Sequence, residues 1–385
     1  MRIALLFRSY GPYHLARLQA ARAKASILAL EFSNVDKEYD WNVADKKREA
    51  EVKCLGRRDG RQIMHDLTIE LLRFAPNAVA IPGYSEALCL QAACVCHKLN
   101  LPVILMSDSH ALQQNRSPLR EVLKQALLPI FDAALVAGTP HADYLERLGF
   151  PRDNIATGYD VVDNQHFAIK NDSGASSARQ DLPKDYFFCC SRLVEGKNID
   201  GLIDAFHRYR CTSGRTAWDL VITGDGPLRE AIQRQIERLS LTECVHMLGR
   251  KTYDQLPQLY ASASGFIMPS FAETWGLVVN EAMAAGLPVL VSQAAGCRTD
   301  LIKEGVNGHV FDPKNTHQLA MLLAKLAASP HRKDMSDASR RIIRDWDLRR
   351  FAVGLTEAAH IACASRTPQR PILATAIAKT LSYKN

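Results

Sequence analysis

Short apolar runs alternate with helix-length stretches along most of the chain, and the alternation is made twice. In the first half the runs are Ile3 to Phe7, Ile27 to Leu30, Ala78 to Pro82, Val103 to Met106 and Ala133 to Ala137. In the second they are Tyr186 to Ser191, Leu220 to Thr223, Val245 to Leu248, Gly265 to Pro269, Pro288 to Ser292 and His309 to Phe311. Runs that are apolar throughout, rather than at every second residue, belong to strands buried on both faces, so each half reads as a parallel sheet clothed in helices. At 385 residues the chain is too long for one core and suits two. Between Phe167 and Asp185 the periodicity lapses into small and polar residues, the composition of a linker. The expected class is α/β with two Rossmann-like, doubly wound domains. The expected boundaries are 1–166, a linker over 167–184, a second domain over 185–345 and a helical tail over 346–385 that can cross back to the first domain.

Composition removes several alternatives. No apolar run approaches the roughly 20 residues that span a bilayer, and the first run is too short and lacks a cleavage site for a signal peptide, so a cytoplasmic protein is expected. Cys89, Cys94, Cys96, Cys189, Cys190 and Cys244 lie inside apolar segments, which suits small core residues rather than a disulfide framework. Cys94-Val-Cys96 lacks the spacing and the second pair of a zinc site, and no metal is expected. The net charge is +7, most of it in residues 331–385, which carry 11 Lys and Arg against 5 Asp and Glu. That tail lacks the interleaved aromatics of a nucleic-acid binder. It suits a solvated helix face or an anionic neighbour, such as a membrane surface.

In open parallel sheets ligands bind beyond the carboxyl ends of the strands. After the first run, Gly11-Pro12-Tyr13-His14 and Arg17 open a helix and form a candidate substrate lip; Pro12 removes one amide, and no G-x-G-x-x-G is present. Tyr84 follows another strand, and Asp108 and His110 follow the next, where a histidine can orient a sugar hydroxyl or exchange a proton near neutral pH. In the second half Arg192 and Lys197 follow the first strand and can clamp a diphosphate. Gly224 and Gly226 follow the second strand, allowing close backbone approach to a ligand, and Gly249-Arg250 follows the third, beside a base.

The richest stretch is Pro269 to Ser292, which reads as loop, helix, turn and strand. Thr274 is the expected cap, with Glu273 at the helix mouth and Glu281 eight residues on, about 12 Å along the axis and close to one face. The backbone N–H groups of Gly276, Leu277 and Val278 then belong to the unpartnered first turn, where phosphate binds readily. A phosphate with a carboxylate on either side suggests a ligand with hydroxyls at both ends of a phosphate bridge, which is the shape of a nucleotide sugar. The plain alternative is a capped amphipathic helix with two solvated glutamates.

Taken together, Arg192-x4-Lys197, Gly224-Asp-Gly-Pro227, Gly249, Glu273-x7-Glu281 with Ala282-Met-Ala-Ala-Gly-Leu-Pro288, and Gly305-Val-Asn-Gly308 resemble the family 4 glycosyltransferases. The resemblance covers about residues 186–313. It implies the GT-B fold, with two domains facing a central cleft, and retaining, metal-independent transfer of a sugar from a UDP- or GDP-sugar. It further implies Arg192 and Lys197 on the donor diphosphate, Glu281 on the ribose, Glu273 on the transferred sugar and His110 near that sugar from the other domain. The acceptor would be a glycan or a lipid-linked one, in polysaccharide or glycoconjugate biosynthesis. A nucleotide-sugar epimerase and a non-catalytic nucleotide-sugar-binding partner are the alternatives on the same fold. The only D-x-D, Asp345-Trp-Asp347, reads as a helix boundary. Around residues 117–128, Arg116, Arg120 and Lys124 line one side of a predicted helix whose apolar stripe is Leu119, Val122, Leu123 and Ala126. That helix either packs on its own domain or faces anionic lipid together with tail residues Arg340, Arg341, Arg344, Arg349 and Arg350.

Overall fold

The computed structural model describes residues 1–33, 44–56, 60–112, 117–168, 182–214, 217–365 and 372–382; Arg116 and most of the predicted linker lie outside them. The chain divides into two compact units, one of residues 1–111, 115–162 and 348–385, the other built on Asp163–Asp347.

The first unit holds seven parallel strands, β1 (Arg2–Phe7), β2 (Ser26–Glu31), β3 (Lys53–Cys54), β4 (Ala78–Pro82), β5 (Val103–Ser107), β6 (Ala133–Val136) and β7 (Ile155–Thr157), in the order β3-β2-β1-β4-β5-β6-β7. β3 and β7, two and three residues long, lie at the edges and are additions to the five strands expected from sequence. Alternate residues of β1 separate into two cores: Ala4 and Leu6 on one face, Ile3, Leu5 and Phe7 on the other. Both faces are therefore dry, as the uninterrupted apolar run requires.

The C-terminal segment supplies helices to both faces. Phe351, Leu355, Ala358, Ala359 and Ala362 of the helix Leu348–Ala364 join the Leu5 face, and Ala374 and Ala378 of the helix Ile372–Ser382 join the Leu6 face. Close approach of the first of these helices depends on Gly354, where an added Cβ would lie 2.3 Å from the Thr157 carbonyl oxygen and 2.9 Å from Leu135 Cδ1. Gly354→Val is accordingly expected to cost about 1–3 kcal/mol by overpacking. At about 2–4 °C per kcal/mol for a unit of this size, that lowers Tm by roughly 2–12 °C in a thermal melt.

The second unit holds six parallel strands, β8 (Tyr186–Cys190), β9 (Asp219–Thr223), β10 (Val245–Met247), β11 (Gly265–Met268), β12 (Val289–Ser292) and β13 (Gly308–Phe311), in the order β10-β9-β8-β11-β12-β13. All six match the apolar runs to within a residue or two. The order reverses direction between β8 and β11, so the loops leaving those two strands flank the topological switch point, where open α/β sheets bind ligands.

Two tail arginines have structural tasks. Arg340 donates to the carbonyl of Ala285 at 3.1 Å and lies where a Cβ on Gly286 would be, so it caps the helix Leu277–Ala285 at its negative end. Arg350 donates to Thr157 Oγ1 at 3.2 Å and lies against Gly158. Arg341, Arg344 and Arg349 are exposed. Asp345-Trp346-Asp347 falls between the helices Arg332–Ile343 and Leu348–Ala364. None of the ten cysteines is disulfide-bonded; five of the six apolar-segment ones are buried and Cys190 is half-buried. Among the described residues no helix is long and apolar enough to cross a membrane.

Candidate active site

The loops after β8 and β11 are tied to each other before any ligand chemistry is considered. Asn198, in the left-handed region at φ 53°, donates its amide to the carbonyls of Pro269 at 3.0 Å and Pro313 at 2.8 Å. The N–H of Phe271 donates to the Gly196 carbonyl at 2.9 Å. This stitching brings two residues 76 positions apart together: Lys197 Nζ donates to Glu273 Oε2 at 2.5 Å, and the Ser270 hydroxyl donates to the same oxygen at 3.3 Å. The two side chains are 20% and 15% exposed, which leaves them reachable yet screened from bulk water. An opening onto solvent, a cation and an anion therefore meet at the switch point. Arg192 is half-buried on the same loop as Lys197.

The helix after Glu273 starts later than its sequence suggests. It spans Leu277–Ala285, with Gly276 as N-cap at φ 107° in place of Thr274. Glycine is required there twice over, by the positive φ and because a Cβ would lie 2.9 Å from Met268 Sδ. Glu273 thus lies in the loop, bridged to Ala295, and the two glutamates do not share a helix face. The helix start is fixed by Trp275, which is buried, donates its indole N–H to Asn280 Oδ1 at 2.9 Å and packs on Trp346 with ring centroids 5.0 Å apart. The first-turn amides of Leu277 and Val278 follow directly, on half-buried residues, and carry the positive end of the helix dipole. Phosphate oxygens have their natural site there.

Glu281 is enclosed, at 0% exposure, rather than lying at a surface. It accepts a 2.6 Å hydrogen bond from the Tyr260 hydroxyl. The reading of two solvated glutamates fails for both residues. Tyr260 carries no motif signal and lies 21 positions from its partner; only the apolar setting of Glu281 in its helix hinted that the carboxylate needed a donor.

Gly224 and Gly226 are required by the packing of their own unit. A Cβ on Gly224 would lie 1.8 Å from the Ser191 carbonyl oxygen, and one on Gly226 2.5 Å from that of Leu193. The close approach is between the loops after β8 and β9, sealed by Leu193 N–H to the Asp225 carbonyl at 3.0 Å. The glycines support the Arg192 loop from beneath. Gly249 joins β10 to the same platform, its carbonyl accepting from the Thr223 hydroxyl at 2.7 Å and the Gly224 N–H at 2.9 Å. Arg250 is exposed beside it.

In the first unit the switch point is between β1 and β4, and Arg8 and Glu86, from the loops after those strands, pair across it at 2.9 Å. Gly11 gives its N–H to His14 Nδ1 at 3.1 Å, so that amide is committed within the loop and not offered to a diphosphate. Burial, then Arg17 and Lys47, push the His14 imidazole down to about 3. The ring is neutral at pH 7 with its proton on Nε2. Arg17 is buried, ion-paired with Asp160 at 3.3 Å and hydrogen-bonded to the Val161 carbonyl at 3.0 Å, while Tyr84 is a core residue against Phe131. Neither forms a substrate lip. Tyr13 is half-buried. His110 is fully buried, edge-on to His141 at 5.2 Å between centroids, not at an open strand end.

Residues 175–342 match the family described as Glycosyl transferases group 1. Over 209 residues the chain is 31% identical to an uncharacterized glycosyltransferase of Methanocaldococcus jannaschii, covering 53% of this chain and 48% of that one. It is 30% identical over 209 residues to the GDP-mannose-dependent alpha-(1-6)-phosphatidylinositol monomannoside mannosyltransferase of Mycolicibacterium smegmatis, covering 51% and 53%. The chain spans about half the length of these two relatives. Among solved structures it is similar to a glycosyltransferase of Rickettsia africae, with a TM-score of 0.75 at 12% identity over 94% of this chain and 98% of that one. It is also similar to Anabaena HepE in complex with UDP, with a TM-score of 0.74 at 18% identity over 93% and 99%. At such identities the likeness establishes the fold, which is of GT-B type.

Proposed function

We propose, from the match of residues 175–342 to the family described as Glycosyl transferases group 1, that the chain is a glycosyltransferase that moves a sugar from a UDP- or GDP-sugar to a hydroxyl of a glycan or lipid-linked acceptor. The reading includes retention at the anomeric carbon, no metal, and a cytoplasmic role in polysaccharide or glycoconjugate biosynthesis. One observation carries it: Lys197 and Glu273 meet at the switch point of the second sheet, three residues ahead of the helix start that suits a phosphate. Lys197, Arg192 and the amides of Leu277 and Val278 hold the diphosphate, Glu273 faces the transferred sugar and Glu281 the ribose. In the reaction the anomeric C–O bond breaks with its electron pair going to the phosphate oxygen. The acceptor oxygen bonds to the same face of that carbon, and its proton passes to the departing phosphate oxygen. Cations and amides aimed at that oxygen stabilise the charge as it develops, the role a metal has elsewhere.

The test is incubation with UDP- and GDP-sugars and candidate acceptors, with the product's anomeric configuration read by NMR. Transfer with retention is expected. Epimerised donor, or tight nucleotide binding with neither hydrolysis nor transfer, would replace the reading by one of its alternatives.

The acceptor's place at a membrane is part of the proposal. In the helix Pro118–Leu127 only Leu127 is buried, whereas Leu119 is 78% and Val122 60% exposed beside exposed Arg120. Such a face suits the interface of an anionic bilayer. Lys124 does not share the task, being held by Glu121 and the Tyr144 hydroxyl, nor do Arg340 and Arg350. The relative from Mycolicibacterium smegmatis is named for a phosphatidylinositol monomannoside substrate, which agrees with a lipid acceptor. Co-sedimentation with anionic vesicles at low salt is expected to exceed that with neutral ones and to fall in a Leu119→Ser, Val122→Ser variant; equal sedimentation with both vesicle types removes the membrane from the proposal.

A further inference from the structure

The switch point of the first sheet presents polar groups that the proposed donor chemistry leaves without a role. Arg8 follows β1 and Glu86 follows β4, and their 2.9 Å contact joins residues 78 positions apart. The two side chains are 47% and 43% exposed and make no second hydrogen bond among the described residues. Both keep capacity for a ligand, the guanidinium in further N–H donors and the carboxylate in further lone pairs. Glu86 is also the N-cap of the helix Ala87–Lys98, yet its carboxylate makes no capping bond and goes to Arg8 instead. The N–H groups of Cys89 and Leu90 bond to the Glu86 carbonyl at 3.1 and 3.3 Å, so the amides of Ala87 and Leu88 stand ahead of them at the positive end of the helix. Beside this turn Gly83 is half-buried at φ 80°, and apart from its chain neighbours nothing described lies within 4 Å of where its Cβ would be. Donors, acceptors and open space therefore meet at the sheet end where ligands bind. Other polar groups there are committed within the unit, the Gly11 amide to His14 and Arg17 to Asp160.

Charge decides what such a place takes. Arg8 is already answered by Glu86, whose residue also caps the positive end of the helix. Glu31, at the end of β2, is answered by Lys47 at 2.9 Å. Asp108, half-buried after β5, has no ion pair among the described residues. The ends of these four strands thus bring no surplus cation. A phosphate or carboxylate arriving there would have to part Arg8 from Glu86 and remain beside that carboxylate, a like-charge arrangement that rejects a partner. A neutral, hydroxyl-rich ligand meets no such penalty, because its oxygens accept from Arg8 and its hydroxyl protons go to Glu86 while the pair stays closed. We infer that Arg8 and Glu86 bind the acceptor, and that the part of the acceptor they hold is an uncharged glycan. This rests on the reading of the chain as a glycosyltransferase and chooses among the acceptors that reading allows. The contribution of the pair belongs to acceptor binding, not to the donor diphosphate assigned to Arg192 and Lys197.

The experiment is transfer by the full chain, supplied with UDP- and GDP-sugars, to an immobilised array of neutral, phosphorylated, sulfated and uronic-acid-bearing glycans, with products read by mass. Calorimetric titration with UDP and GDP runs alongside. Neutral glycans are expected to be the acceptors. On the best of them, Glu86→Gln and Arg8→Ala are each expected to raise acceptor KM by on the order of tenfold, the scale of a lost charge-assisted hydrogen bond, with nucleoside diphosphate affinity as in wild type. Both variants are expected to melt close to wild type, since the pair is half exposed. Glu86→Gln also releases Arg8, so its activity on acidic glycans rises relative to neutral ones. Wild-type preference for an acidic glycan overturns the inference and leaves the transferase reading standing, as does an unchanged acceptor KM in either variant. A parallel loss of nucleotide affinity also overturns it, because it marks the pair as structural only. Donor hydrolysis with transfer to no arrayed glycan counts against it in the same way. Failure of wild type to bind any nucleoside diphosphate overturns the transferase reading and this inference with it.

Discussion

Glu273→Gln is expected to lose transfer by roughly 10²–10³-fold in kcat, the scale seen when a group aimed at transition-state charge is removed, and yet to bind UDP or GDP at least as well as wild type. The two effects point in opposite directions because Glu273 has two relations. Toward the sugar it is the only carboxylate on the loop Pro269–Gly276, and Gln keeps its shape without its charge. Toward Lys197 it is a competitor, since a diphosphate must share or replace the 2.5 Å contact that the ammonium makes with Glu273. A half-screened ion pair is worth about 0–1 kcal/mol, and every 1.4 kcal/mol is tenfold in affinity. Releasing Lys197 therefore tightens nucleoside diphosphate binding by at most about fivefold. Calorimetry and initial rates on one preparation check both halves. Wild-type kcat in Glu273→Gln would remove Glu273 from the chemistry, and weaker nucleotide binding would show that the pair organises the site instead of competing for it.

The strands of this fold were legible because burial on both faces leaves an uninterrupted apolar run, a signal that survives without knowledge of neighbours. β3 and β7 were not, since two- and three-residue edge strands bury too little to shape the sequence. In the site, residue types were legible and their relations were not. Lys197 and Glu273 each appeared as strand-end residues, but that they touch depends on Asn198 in a left-handed turn and on the Phe271 amide, which no local pattern announces. The late helix start was hidden for a similar reason. Thr274 has the chemistry of a cap, but Trp275 is drawn into the core by Asn280 and Trp346, which carries the chain past Thr274 and leaves Gly276 to absorb the turn. At Gly224 and Gly226 the sequence pattern announced a close backbone approach but not its protein partners, the carbonyls of Ser191 and Leu193. Charge misled at Arg17, Arg340 and Arg350, each of which is spent on a backbone carbonyl or a side chain of its own unit.

Lys197→Ala is expected to lower kcat by roughly 10²–10³-fold, because the departing phosphate loses a cation where charge develops, and to weaken nucleoside diphosphate binding as well. A structural explanation competes with this one. If Lys197 served only to neutralise Glu273, its removal would leave a carboxylate at 15% exposure without its counter-ion, and the damage would come from that orphan charge. The double variant Lys197→Ala, Glu273→Gln separates the two accounts. Under the structural account the second substitution removes the orphan, so the double variant outperforms Lys197→Ala in both stability and activity. Under the catalytic account the lysine acts on phosphate and the glutamate on the sugar within one transition state, so neither loss is repaired. The double variant is then no faster than the slower single variant, even if its melting temperature recovers. The informative quantity is the divergence between Tm and kcat across the cycle: recovery of Tm alone supports the assignment of Lys197 to the leaving phosphate, and recovery of kcat with it reduces the pair to a strut between two loops.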